Sequence, residues 1–155
     1  LACANGLALA LNAECLNQSI AGETFNPEMV DGSIVLQLDC ITIAYGTNDW
    51  NCKTREQFTR DAEDYVRRVR ESWPAAEIFV ITPIWRGDTQ AHPERFAFVE
   101  TETILEKIAT QHNAKTICGA GLFPAVKELT ADGFLHPNDL GHQVYAQRLA
   151  KAMRR

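Results

Sequence analysis

Leu38-Asp39-Cys40-Ile41-Thr42-Ile43-Ala44-Tyr45-Gly46-Thr47-Asn48-Asp49-Trp50 is an apolar, β-branched run that a glycine stops and a polar turn follows. Such a run, with little polar alternation, is the pattern of a strand covered on both faces. Residues 54–73 then read as a long helix. Thr54 with Gln57 three positions on makes a capping-box pattern. Phe58, Ala62, Tyr65, Val66, Val69 and Trp73 share one face, and Pro74 ends the helix. Residues 77–82 repeat the strand pattern and stop at Pro83. Residues 94–113 read as a second long helix and 115–118 as a short strand. Upstream, 4–11 read as a short helix and 14–19 as a short strand. Downstream, 122–129 hold a short helix, and Asn138 or Asp139 caps a final helix with Tyr145, Leu149 and Met153 stacked on one side. Strands alternating with long helices mean right-handed βαβ units and a parallel sheet. The expectation is an α/β fold in a single domain of 155 residues.

Bulk properties narrow the function classes. The chain is 46% apolar and 23% charged, ordinary for a globular protein, and its net charge is −5. That balance argues against nucleic acid or an anionic membrane as partner, since both select a basic face. The basic cluster of Arg148, Lys151, Arg154 and Arg155 complements the last helix's dipole. No run approaches the length of a membrane span. The 5 cysteines form no CxxC pair. Cys40 and Cys118 lie in apolar runs and are expected to behave as small hydrophobes. An odd count without close spacing points to free thiols and a cytoplasmic location.

Ligands of parallel sheets bind outside the carboxyl ends of the strands. Gly22, the Gly46-to-Asp49 turn and His136 are all expected there. His136 stands before Pro137, after the Asp132-Gly133 turn, and at the mouth of the final helix. That is how a rigid general base would be presented, with Asp132 near enough to accept from one ring nitrogen. Asn48 can donate its amide to an oxyanion, and Gly22 its backbone N–H. Each also has a plain structural reading: turn asparagines and glycines satisfy local backbone, and most histidines do no chemistry. Trp50, Trp85, Arg86 and Phe134 sit on segments expected near the strand ends, where Trp50 and Trp85 are candidate substrate-binding residues.

Three blocks carry a family resemblance. Asn17-Gln18-Ser19-Ile20-Ala21-Gly22-Glu23-Thr24, Gly46-Thr47-Asn48-Asp49 and Asp132…His136-Pro137-Asn138 resemble, in order and spacing, the second, third and fifth blocks of the SGNH (GDSL-type) hydrolases. The resemblance implies a three-layer α/β/α sandwich with a parallel, flavodoxin-like sheet. It implies ester hydrolysis by acyl transfer from a serine nucleophile, with a histidine base, an aspartate that orients it, and an oxyanion hole. Carried across, His136 is the base, Asp132 its partner, and Gly22 and Asn48 the oxyanion donors. A small-molecule ester is the implied substrate, with a short acyl group or a carbohydrate acetate favoured. No metal or organic cofactor is implied.

This sequence departs from the family pattern twice. The family's aspartate stands three residues before the histidine, where this chain has Gly133; Asp132 stands four before. Either the loop bulges by a residue, or Asp132 is not the orienting carboxylate, or the histidine works with a backbone carbonyl. The block with the nucleophile is also missing. Ser19, Ser33 and Ser72 are the only serines, and none follows a strand ahead of Gly22. The expectation is a domain incomplete at its N-terminus, lacking the fold's first strand. Two rival readings stand beside the esterase: an inactive SGNH-like carbohydrate-binding or interaction module, and a metal hydrolase using Asp132, His136, Asp139 and His142.

Overall fold

The structure, a computed structural model, describes residues 3–33 and 35–154. The chain divides into two compact units: Ala21–Pro83 with Glu94–Thr116, and Leu1–Ile20 with Ile84–Pro93 and Ile117–Arg155.

The first unit is built on the sheet. Strand β1 (Cys40–Ile43) runs parallel to β2 (Glu77–Ile81), in register from Cys40 opposite Glu77 to Ile43 opposite Val80. Strand β3 (Lys115–Ile117) completes a three-stranded sheet in the order β1-β2-β3. Helices α2 (Thr47–Cys52), α3 (Arg55–Ser72) and α4 (Glu100–Gln111) belong to this unit. The capping box of α3 is formed: the Thr54 hydroxyl accepts the Gln57 N–H at 3.2 Å, and the Gln57 side chain accepts the Thr54 N–H at 2.9 Å.

Phe58, Ala62, Val66 and Val69 of α3 pack with Ile43, Ile78 and Val80 of the sheet and with Ile104, Leu105, Ile108 and Ala109 of α4. Each large side chain buried there contributes roughly 1.5–3 kcal/mol. Phe79 and Ile81, on the opposite face of β2, are buried as well. Asn113 closes α4 in the left-handed region, at φ 52°. Arg70 secures that end by donating to the carbonyls of His112 and Asn113 at 3.1 and 2.8 Å.

The second unit holds α1 (Cys3–Leu11), the short α5 (Gly119–Leu122) and α6 (Asp139–Met153). α1 packs on α6, and Leu7 of α1 and Ala146, Leu149 and Ala150 of α6 are buried. A Cβ on Gly6 would lie 3.0 Å from that of Ala146, so glycine sets how closely the helices approach. Asn138 caps α6, accepting the Gly141 N–H at 3.0 Å. Arg155 of the expected basic cluster lies outside the described residues.

The α/β class and the parallel sheet are as the sequence led us to expect, with four differences. Residues 14–19 form no strand, because no neighbouring strand among the described residues offers them a ladder; the segment is exposed. The helix expected from 94 starts only at Glu100. The preceding turn is held open where the Trp50 indole N–H claims the Phe96 carbonyl at 2.7 Å. The helix expected over 122–129 is two short pieces, Gly119–Leu122 and a 3₁₀ turn at Lys127–Leu129. Cys40 and Cys118 are exposed rather than buried. Burial pushes the Cys3 thiol up to about 12. Among the described residues, no helix is long and apolar enough to cross a membrane.

Candidate active site

Within the sheet unit, β1 runs into a glycine turn that opens α2. Gly46 has φ 113°, and a Cβ there would lie 2.9 Å from Pro83 Cγ, so the position excludes other residues on two grounds. Asp49, fully buried, ties the turn down: its Oδ2 accepts the Gly46 N–H at 3.1 Å. Its Oδ1 accepts the Phe25 N–H at 2.9 Å and pairs with Lys53 Nζ at 2.9 Å. Lys53 donates further to the Phe25 carbonyl at 2.6 Å and meets Asp61 at 3.1 Å. Desolvation lowers the Lys53 pKa, but the two carboxylates outweigh it and hold the ammonium above the ordinary lysine value.

Asn48, half-buried, donates one amide N–H to the Glu23 carbonyl at 2.9 Å. An asparagine amide has two such donors, and among the described residues Glu23 takes one of them. Gly22, next to Glu23, is exposed with φ 79°, and a Cβ there would meet nothing within 4 Å. Its glycine requirement is conformational. The two candidate oxyanion donors are therefore linked through the Asn48–Glu23 bond.

Within the second unit, the loop before α6 carries His136. Its Nδ1 lies 2.6 Å from Asp132 Oδ2. Asp132 Oδ1 accepts the backbone N–H groups of Phe134, Leu135 and His136 at 3.0, 2.8 and 3.1 Å. Desolvation works to raise the Asp132 pKa, but the Phe134 and Leu135 N–H groups, the His136 ring and the His136 N–H hold it far below the usual carboxylate range. Gly133, at φ 83°, makes the bend that lets an aspartate four residues away reach the ring. The loop's ends are pinned by the Thr130–Pro137 bridge, by the Ala131 N–H to the His136 carbonyl at 2.7 Å, and by the Asn138 N–H to the Leu129 carbonyl at 2.9 Å. The His136 side chain is 73% exposed.

Phe134 lies on this loop, and Trp85 is placed beside it. The Gly87 N–H donates to the Phe134 carbonyl at 2.7 Å, and a Cβ on Gly87 would sit 3.1 Å from the Trp85 ring and 3.2 Å from Phe134 Cβ. Arg86 is buried and pairs with both Asp88 oxygens, at 2.6 and 2.7 Å. Trp50 is placed differently from its expected role at a substrate pocket. It is 2% exposed, packs edge-on against Phe98 at 5.2 Å, and lies under the Arg95 guanidinium at 5.0 Å. It is a core side chain, because its indole N–H found a carbonyl partner inside.

Ser19 and Ser33 are exposed; the Ser33 hydroxyl donates to Asp31 Oδ1 at 2.6 Å. Ser72 ends α3 beside Gly32. Among the described residues, no serine hydroxyl is bonded to a histidine. Nor does any group of three or more His, Cys, Asp or Glu among them form a candidate metal site, so Asp132, His136, Asp139 and His142 do not converge as ligands.

Sequence reasoning passed over Lys53 and Phe25. The signal for Lys53 was its place four residues after Asp49, the spacing of a helical ion pair. Phe25 had no comparable local signal, since its backbone partners, Asp49 on α2 and Lys53 at the C-cap of that helix, lie 24 and 28 positions away.

A search of curated proteins finds no match. Solved structures do match. The inhibitor-bound aryl esterase of M. smegmatis is 15% identical, with a TM-score of 0.77 over 99% of this chain and 84% of the other. Est24, a carbohydrate acetylesterase from Sinorhizobium meliloti, is 13% identical, with a TM-score of 0.75 over 99% and 84%. LAE5, an alpha/beta hydrolase enzyme from the metagenome of Lake Arreo, Spain, is 17% identical, with a TM-score of 0.79 over 99% and 81%. At these identities the likeness is one of fold. The family model for GDSL-like lipases and acylhydrolases matches residues 2–144. A glycine–asparagine turn after β1, an aspartate–histidine loop before the last helix and a match spanning nearly the whole chain make this protein a member of the GDSL-like lipase/acylhydrolase family.

Proposed function

We propose that the protein is a serine ester hydrolase acting on small esters, with a short acyl group or a carbohydrate acetate as the favoured substrate. The observation that carries this reading is the 2.6 Å contact between Asp132 Oδ2 and His136 Nδ1. A carboxylate there keeps the proton on Nδ1 and leaves Nε2 as the basic nitrogen. In the reaction, Nε2 takes the serine hydroxyl proton as the oxygen attacks the ester carbonyl, then returns it to the departing alkoxide. The acyl-enzyme is hydrolysed by the same transfers with water as nucleophile. The charge on the tetrahedral oxygen is met by the Gly22 N–H and the second Asn48 amide N–H.

On this reading the attacking serine is none of Ser19, Ser33 and Ser72. It belongs to a strand preceding Gly22 in the full-length protein, pairing beside β1, which stands at one end of the strand order. Trp85 and the 39%-exposed Phe134 supply an apolar surface beside the base, suited to an aryl or sugar ring. The likeness in fold to an aryl esterase and a carbohydrate acetylesterase supports that substrate class. An odd number of cysteines with no CxxC pair favours the cytoplasm. A second reading is an inactive carbohydrate-binding or interaction module, in which the half-buried Trp85 and the exposed Phe134 would serve as a surface for stacking a sugar ring.

The two readings separate on one experiment: p-nitrophenyl acetate hydrolysis and fluorophosphonate labelling of the full-length protein. The esterase reading expects both, with turnover abolished in His136→Ala. A folded protein that neither labels nor hydrolyses overturns the esterase reading, and carbohydrate binding by that protein would support the second.

A further inference from the structure

We infer that Lys53, through its ion pair with Asp49, is a positioning residue for the oxyanion donors Gly22 and Asn48; this rests on the ester-hydrolase reading above. Asp49 is fully buried, and a buried carboxylate is stable only when its oxygens are matched. Two backbone N–H groups and the Lys53 ammonium match them. An ammonium has three donors. Those of Lys53 meet Asp49 on α2 at 2.9 Å, Asp61 on α3 at 3.1 Å and the Phe25 carbonyl at 2.6 Å. One side chain thus joins the turn that presents Asn48, the long helix behind it, and the segment that leads back to Gly22.

The Phe25 backbone is held at both ends, its N–H by Asp49 and its carbonyl by Lys53. Two residues upstream, the Glu23 carbonyl is held by Asn48. The Phe25 ring is anchored independently, among Tyr45, Phe58 and Tyr65 at 5.3, 6.0 and 5.5 Å. Removing the ammonium therefore leaves the ring seated. It frees the Phe25 carbonyl, leaves Asp49 uncompensated, and loosens the course of the chain between Gly22 and Phe25. Oxyanion donors act only when preorganised at the oxygen's position, so the effect falls on the transition state rather than on substrate binding.

The test uses the full-length protein with p-nitrophenyl acetate. Lys53→Met is expected to lower kcat about ten- to a hundredfold with KM within about twofold. Lys53→Arg should recover part of the loss. The effect of Asn48→Ala should shrink in the Lys53→Met background, because the donor is already misplaced. Independently of turnover, hydrogen exchange at the Phe25 N–H and the Asn48 amide should quicken in Lys53→Met while Val66 and Val80 keep their rates. Should Lys53→Met not fold, Asp61→Asn, which weakens one of the three contacts and leaves Asp49 paired, is carried through the same measurements. Unchanged kcat, or exchange quickened evenly across the unit, overturns the inference. An Asn48→Ala loss that adds in full to that of Lys53→Met removes this inference alone. Undiminished turnover in Asn48→Ala removes the oxyanion role and the inference together.

Discussion

Asp132 divides its two oxygens between two tasks: Oδ2 meets His136 Nδ1 at 2.6 Å, and Oδ1 gathers three consecutive backbone N–H groups, those of Phe134, Leu135 and His136. The same carboxylate orients the ring and shapes the loop that carries it. An extra residue between aspartate and histidine is accommodated because Gly133 turns at φ 83°.

Asp132→Asn keeps an oxygen for the backbone donors and loses the charge at Nδ1. We expect kcat to fall on the order of 10²-fold or more, with thermal stability changed little. Steady-state kinetics beside a melting curve checks this. A fall in stability that accounts for the lost activity would make Asp132 a loop-forming residue only.

The depressed Asp132 carboxyl has a consequence for pH. A carboxyl whose folded value lies below its unfolded one contributes stability that is fully present above the unfolded value and is lost as pH falls through the folded one. The loop should therefore hold its geometry from neutrality down past about pH 3.9 and loosen only in stronger acid. Carbon NMR of the Asp132 carboxyl should show its titration midpoint below that value. A midpoint at or above it contradicts the description.

Asn48→Ala removes both the Glu23 tie and the second amide donor. The tie accounts for about 1 kcal/mol of stability, while the donor should account for about 10²–10³ in kcat. A change in kcat of less than about threefold would assign Asn48 to the turn alone.

Gly141 lies in the first turn of α6, where a Cβ would come 2.2 Å from the Leu129 carbonyl oxygen. Leu129 begins the loop that returns at Asn138, and a backbone atom cannot swing aside. Gly141→Ala should cost about 1–3 kcal/mol and lower turnover by displacing the His136 loop. Gly121→Ala is the matched control, since nothing lies within 4 Å of its Cβ, and should stay within about 0.5 kcal/mol. Denaturant unfolding of the two variants compares them directly.

Much of the fold was legible because its signals are local. The α3 helix announced itself by a cap at Thr54, an apolar face from Phe58 to Val69 and a stop at Pro74. The sheet strands announced themselves as apolar runs closed by Gly46 and Pro83. The 14–19 strand was misread because a strand exists only through a partner, and a sequence window contains no partner. Trp50 was misassigned for a similar reason: an aromatic beside a candidate site is equally suited to a wall or to a core, and only the Phe96 carbonyl and Phe98 ring decide between them.

By itself, then, the sequence determined the α/β class, the order of helices and strands and the family, since periodicity, caps and motif order are properties of neighbouring residues. Tertiary structure alone decided that Asp132 reaches His136, that Asn48 holds Glu23, and that Lys53 joins α2, α3 and the Phe25 segment. Those contacts depend on loop closure and on residues 24 to 28 positions apart being brought within hydrogen-bonding distance, which no local pattern encodes.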